Sequence, residues 1–387
     1  MNLGKKIISA NFVRLLNKIF KSLNHAEIMF RVSKMIRMTR PLCVIPLFFI
    51  SVYSLNAQPG GKAFQFLDVT NSARVAAIGG KAPAIYDDDL NMPFHNPALL
   101  NELQHNHLVL NYVDYFAGIN YGYVSYARTY KGIGNFAAGI HYLNYGKFQG
   151  ADETGAFTGT FRASDYALNI MYSRKLDSMF SVGVNLKPIY SSLESYNSFA
   201  MAIDAGIVYH NPGWGFTSAL VIRNAGLQLS SYYPNGKREP LPLDIQLGIS
   251  QGLRHAPLRF FVVADHLEKW NLTYQTEEDI ENSVNQLTGE TIEESKFDVF
   301  TDKFMRHITL GTEILIGKNL VFSFGYNYRR RQEMKIDTKP GRVGFSFGAS
   351  VRISKFRISY GRPVTHQVGG SNHFSLMMDL GEFYKKF

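Results

Sequence analysis

From residue 106 to residue 380 this chain alternates apolar with small or polar side chains, position by position, in run after run. Tyr166, Leu168, Ile170 and Tyr172 share one side of a run whose other side reads Asp165, Ala167, Asn169, Met171 and Ser173. Further on, Val343, Phe345, Phe347, Ala349, Val351 and Ile353 oppose Gly344, Ser346, Gly348, Ser350 and Arg352. A period of two is the signature of a strand, because successive Cβ atoms point to opposite faces. The runs are about 9 to 12 residues long; strands of soluble domains usually stop near about 5 or 6, whereas one that crosses a bilayer at a tilt needs about 9 to 11. Tyr and Phe gather at the ends of the runs, where an amphipathic ring suits the lipid headgroup level.

Fourteen such runs are readable, an even number, as closure with both ends of the chain on one side requires. The connections sort into two kinds. Those at 129–132, 175–178, 210–213, 253–256, 317–318 and 354 are short, and those at 145–162, 191–198, 225–241, 268–303, 331–341 and 362–370 are longer. Short periplasmic turns alternating with long outer loops are the habit of an outer-membrane barrel, and a β-sandwich has no reason to sort its loops this way. The expected fold is therefore all-β: a transmembrane antiparallel barrel of about 14 strands over 106–387.

The net charge of +10 would suggest a nucleic-acid partner if it were spread over the fold. It is not: residues 1–57 hold nine basic side chains against one acid, Glu27, and the remaining 32 basic and 30 acidic side chains leave the rest of the chain near neutral. No nucleic acid is expected. From Met35 the leader has the form of a secretory signal, with Arg37 and Arg40 ahead of an apolar run from Leu42 to Leu55, and cleavage is expected after Ala57. The single cysteine, Cys43, lies in that leader, so the exported part contains no disulfide and no cysteine-based metal site.

Residues 58–105 lack the alternation and read as turns and short helices. Asp87, Asp88 and Asp89 form one marked run; Asn96, Pro97 and Ala98 form another, with Asn96 placed to cap and Pro97 at the first helical position. A barrel of this size has a lumen to fill, and this segment is expected to be its N-terminal plug. The connection 268–303 is acidic, and Glu277, Glu278 and Asp279 after Thr276 suggest a helix start with Ile280, Val284 and Leu287 on one face, an outer surface for a partner.

Catalytic and metal signals are weak. Gly344-Phe345-Ser346-Phe347-Gly348 matches G-x-S-x-G, but mid-strand instead of at a strand-to-helix turn. His105 and His107 have no third ligand nearby in sequence, and the calcium-loop spacing is absent from the acidic connection. Arg329, Arg330 and Arg331 lead into an outer loop, to meet lipid phosphate or solvent. No enzyme, cofactor or metal is expected.

The plug carries a resemblance. Phe66, Ser72-Ala73-Arg74, Gly79-Gly80, Asp87 to Asp89 and Asn96-Pro97-Ala98 resemble the N-terminal hatch of FadL-like outer-membrane barrels. Continued through Asn111-Tyr112, Asp114-Tyr115, Ala117-Gly118-Ile119-Asn120 and Lys187 to Ser192, the pattern is similar to the PorQ family of the type IX secretion system. That resemblance implies a non-enzymatic subunit of an attachment complex, holding a PorZ-like surface protein beside the PorU sortase and the PorV barrel, among outer-membrane lipids and lipopolysaccharide. A FadL-like importer of small hydrophobic molecules is the alternative, and a secreted glycan-binding β-sandwich is a third reading.

Overall fold

The computed structural model describes residues 62–233, 236–273, 295–334, 341–365 and 369–384. The leader 1–57 lies outside them, as do Glu277, Glu278, Asp279, Ile280, Val284 and Leu287.

The strands close into one antiparallel barrel in strict sequence order. They are β1 (His107–Asp114), β2 (Asn120–Tyr130), β3 (Gly134–Ala151), β4 (Phe157–Lys175), β5 (Phe180–Leu193), β6 (Tyr196–Asn211) and β7 (Phe216–Ser230). Then follow β8 (Asp244–Gly252), β9 (Leu258–Ala264), β10 (Ile308–Ile316), β11 (Leu320–Asn327), β12 (Phe345–Ile353), β13 (Phe356–Pro363) and β14 (Asn372–Asp379). The seam pairs β1 with β14 from His107 opposite Asp379 to Asp114 opposite Asn372, which removes both sheet edges. Leu380 lies just past the last strand, and its N–H is bonded to the carbonyl of Asn106.

The two faces of each strand are inverted relative to a soluble protein. On β4, Tyr166, Leu168 and Ile170 are exposed on the outer wall, while Asp165, Asn169 and Ser173 are buried inside. Phe322, Phe324, Phe345 and Phe347 lie on the outer wall of β11 and β12, with Ser323 and Ser346 inside. Such a wall is stable only against lipid.

Two of the expected outer loops are not loops. Residues 145–162 are mostly strand, with β3 and β4 paired from Lys147 opposite Arg162 to Ala151 opposite Phe157, beyond a bulge after Asn144. Residues 191–198 are likewise the tip of the β5–β6 hairpin, with Leu193 opposite Tyr196. In the longer of these extensions the alternation of buried with exposed positions gives way to exposure on both faces, so neither face is held to apolar residues while the hydrogen bonds continue. The ladder between β4 and β5 has a gap where Leu168 and Asn169 lack partners, beside Pro188, which has no N–H to give.

Inside the barrel, residues 62–105 form short 3-10 turns and one small helix, α1 (Ala73–Ala77). Phe66, Leu67, Val75, Ile78, Met92 and Phe94 are buried there, packed against the inner wall. Two further helices lie in the outer connections: α2 (Lys296–Met305) between β9 and β10, and α3 (Tyr328–Met334) after β11.

Candidate functional site

The site is the junction of hatch and barrel, and it is assembled from short polar elements. At α1, Ser72 caps the helix by accepting from the Val75 N–H, and the Ala73 N–H leaves the hatch to donate to Ser375 Oγ on β14 at 2.9 Å. Wall serines repeat this service elsewhere. Ser346 on β12 donates to the Ala77 carbonyl, Ser250 on β8 to Ala84, and Ser173 on β4 to Leu100, each within 2.9 Å. These bonds satisfy backbone groups that a segment without regular structure would otherwise bury unpaired.

Asn96 accepts from the Ala98 N–H at 3.0 Å and donates to the Pro83 carbonyl at 3.0 Å, so one side chain caps the Pro97–Leu99 turn and ties it to an earlier stretch of the hatch. The turn sits directly on the inner wall. A Cβ on Gly206 of β6 would collide with the Asn96 side-chain oxygen, and one on Gly183 of β5 with the backbone of Pro97. Glycine is required at both positions by close approach.

Charge completes the fastening. Arg74, at 5% exposure, bonds Glu313 of β10 through Nε at 2.6 Å and through Nη2 at 2.9 Å, and also reaches Asp87 at 2.8 Å and Asp89 at 3.1 Å. Arg259 of β9 joins from the wall, 3.1 Å from Asp87. Asp88 points the other way and is gripped by Arg357 of β13 at 2.8 Å and by Arg352 of β12. Burial pushes the Asp88 carboxyl up, but Arg357 and Arg352 outweigh it and hold the group below its usual range. Asp87 and Asp88 thus reach three different strands, while Asp89 stays within the hatch and Asn91, bonded to it at 2.9 Å, carries the network on to Asn111 of β1.

A second layer lies nearer the long connections. Lys187 of β5 pairs with Asp204 of β6 at 2.7 Å, and Lys81 of the hatch with Asp244 of β8 at 2.7 Å. Beside them, the Phe94 ring is surrounded by His95, Tyr123, His141 and Arg223, the last with its guanidinium 5.5 Å from the ring centre. Burial, and then the charge of Arg223, keep His95 well below the ordinary imidazole range.

The other residues singled out in the sequence separate. His107 is buried, with Nδ1 3.1 Å from the Asp88 carbonyl, whereas His105 lies at the surface and accepts from the Thr129 N–H, so the two histidines share no site. Ser346 of the G-x-S-x-G pentapeptide lies on β12 and is spent on the hatch backbone. Arg329, Arg330 and Arg331 lie on α3. Within the acidic connection, α2 exposes Phe297, Phe300 and Phe304, with Trp270 5.7 Å from Phe300, a surface the sequence reading missed because it looked earlier in the same loop. Sequence reasoning also missed Glu313, Arg259, Arg352 and Arg357, whose only local signal is a charge on the small-residue face of a strand.

A closed antiparallel barrel with an apolar outer wall, a polar lining and a hatch folded into its lumen is a transmembrane barrel of the outer-membrane type. Comparison with family models and with curated proteins finds no match. Among solved structures the chain is similar to the toluene transporter TodX of Pseudomonas putida, at 12% identity and a TM-score of 0.47 over 80% of this chain and 96% of that one. It is also similar to the monoaromatic hydrocarbon channel CymD, at 14% identity and a TM-score of 0.44 over 80% of this chain and 97% of that one. A FadL homologue of Pseudomonas aeruginosa is similar at 12% identity and a TM-score of 0.44, over 80% of this chain and 98% of that one.

Proposed function

We propose that this protein is a non-enzymatic outer-membrane anchor, a barrel held closed by its own hatch that presents a surface to a protein partner outside. The observation that carries the reading is the seating of the hatch. Its backbone rests on wall glycines and wall serines, and its charges are paired with Glu313, Asp244, Arg357 and Arg352. Freeing it would break several buried charge pairs at once, each costing about 3–5 kcal/mol when one partner is left behind. Such a plug suits a scaffold better than a passage. The partner implied by the PorQ resemblance is a PorZ-like surface protein working with PorU and PorV, and α2 with its exposed phenylalanines is the place on this chain we assign to contact it.

A second reading, import of small hydrophobic molecules, has one observation in its favour. The break in the β4–β5 ladder at Pro188 lies beside an apolar cluster that includes Phe66, Leu67, Ala167 and Ile189. Import is also the kind of activity for which the TodX and CymD structures are named.

Affinity purification of the tagged chain from membranes in mild detergent, with mass spectrometry of proteins and lipids, separates the two. A stoichiometric surface protein, lost from a Phe300→Asp variant, supports anchoring. A chain recovered alone with a bound fatty acid or aromatic compound overturns it in favour of import.

A further inference from the structure

At the outer mouth, the end of β9 and the start of β8 bring together side chains that neither the hatch nor the anchoring surface explains. Asp244 is the first residue of β8; Asp265 and His266 follow the last residue of β9, and Glu268 comes two residues later. One oxygen of each aspartate and one ring nitrogen of His266 all lie within 4.8 Å of one another. His266 Nδ1 is 3.6 Å from Asp244 Oδ1 and 3.2 Å from Glu268 Oε1. Donors about 2.0–2.2 Å from a tetrahedral metal ion stand roughly 3.3–3.6 Å apart, so His266 Nδ1 stands at ligand spacing from Asp244 Oδ1, while its approach to Glu268 is a hydrogen bond in this structure.

Two further observations point to a ligand. Asp265, at 1% exposure, has its Oδ2 without a hydrogen-bond partner, with Lys81 Nζ 3.9 Å away. A buried carboxylate oxygen left in that state is costly. Acid also outnumbers permanent base among the groups in direct contact, with Arg223 and Arg330 adding positive potential from farther off. Asp244, Asp265 and Glu268 supply three negative charges, and among the described residues the one permanent cation within salt-bridge reach is Lys81. Lys81 sits on the far side, 2.7 Å from Asp244 Oδ2 and 3.9 Å from Asp265 Oδ2, and leaves Asp244 Oδ1 facing His266.

We propose that Asp244, Asp265, His266 and Glu268 bind one divalent first-row cation of the zinc type. Two elements already hold the ligands in place: the Ile245 N–H donates to Glu268 Oε2 at 3.0 Å, and the His266 N–H to Asp244 Oδ1 at 2.9 Å. An imidazole beside carboxylates suits zinc better than calcium or magnesium, which prefer oxygen alone. The ion would staple the base of the connection between β9 and β10, whose two ends are already joined by the Asp265 N–H to the His307 carbonyl at 3.0 Å. The consequence for presenting α2 rests on the anchoring reading; the metal site does not.

The test is zinc titration of the full chain, purified in mild detergent and stripped with EDTA, followed by calorimetry and by thermal unfolding. One zinc ion per chain should bind, raise the unfolding midpoint, and be weakened at least about tenfold in both Asp265→Asn and His266→Ala. Absence of saturable binding in the wild type, or unchanged affinity in both variants, overturns the site. A calcium response equal to that of zinc, and indifferent to His266→Ala, also overturns it. Lys81→Met guards against variants that merely misfold: it should be destabilised without metal and recover when zinc is added, and failure to recover counts against the proposal. Loss of partner recovery with zinc binding intact would instead sink the anchoring reading alone.

Discussion

At the scale of single residues, the hatch is held by contacts with no slack. Gly206→Ala places a methyl group where the Asn96 side chain lies, and overpacking of this kind costs about 1–3 kcal/mol, to be read as a lowered unfolding midpoint in detergent. Arg74→Met is the harsher change, because it takes from fully buried Glu313 its nearest cation and leaves it Arg259 at 3.7 Å, and about 3–5 kcal/mol should be lost. The pH response follows from two hatch residues. His95 favours its neutral form when folded, so stability begins to fall once the pH drops below the unfolded value of 6.5. Asp88 is depressed when folded, so its contribution persists above the unfolded value of 3.8 and disappears as the pH falls further, toward the folded value. Thermal scans across this range should therefore show loss in acid in two stages, and His95→Gln should shrink the upper one.

At the scale of elements, the strands were legible and their fastenings were not. Lipid forces one face of each run to be apolar and lets the other be small or polar, so a segment such as 163–174 declares itself without any knowledge of its neighbours. Where β3 and β4 are exposed on both faces, that constraint ends, and residues 145–162 read as a loop although they are paired. The same freedom yields a prediction: replacing residues 147–160 by a short turn should leave the unfolding midpoint nearly unchanged, whereas cutting into 163–174 should prevent folding. For the hatch, Asn96-Pro97 could be read as a capped turn because the cap is local. The fate of Asp87 and Asp88 could not, since their partners Arg259, Arg352 and Arg357 lie far along the chain and each looks like an isolated charge in a strand. The cluster at Asp244, Asp265 and His266 escaped notice for that reason as well.

At the scale of the whole molecule, ion pairs join the hatch to the barrel wall on several sides, and on the anchoring reading the closing of the lumen would depend on all of them together. The chain reconstituted in a planar bilayer should carry little current, and Arg74→Met combined with Asp88→Asn should raise the conductance by loosening the hatch on two sides. A wild type that conducts as freely as the double variant would show that the hatch does not close the lumen.

The hatch touches strands made at opposite ends of the sequence. Its first helix lies on β14 and β12 through Ser375 and Ser346, while its later turns lie on β4 and β8 through Ser173 and Ser250. It precedes every strand in the chain, and the seam between β1 and β14 joins the first strand to the last. The hatch therefore ties strands from both halves of the barrel to one short segment. A segment proposed as a plug would in this way also be a splint that braces the finished wall from within.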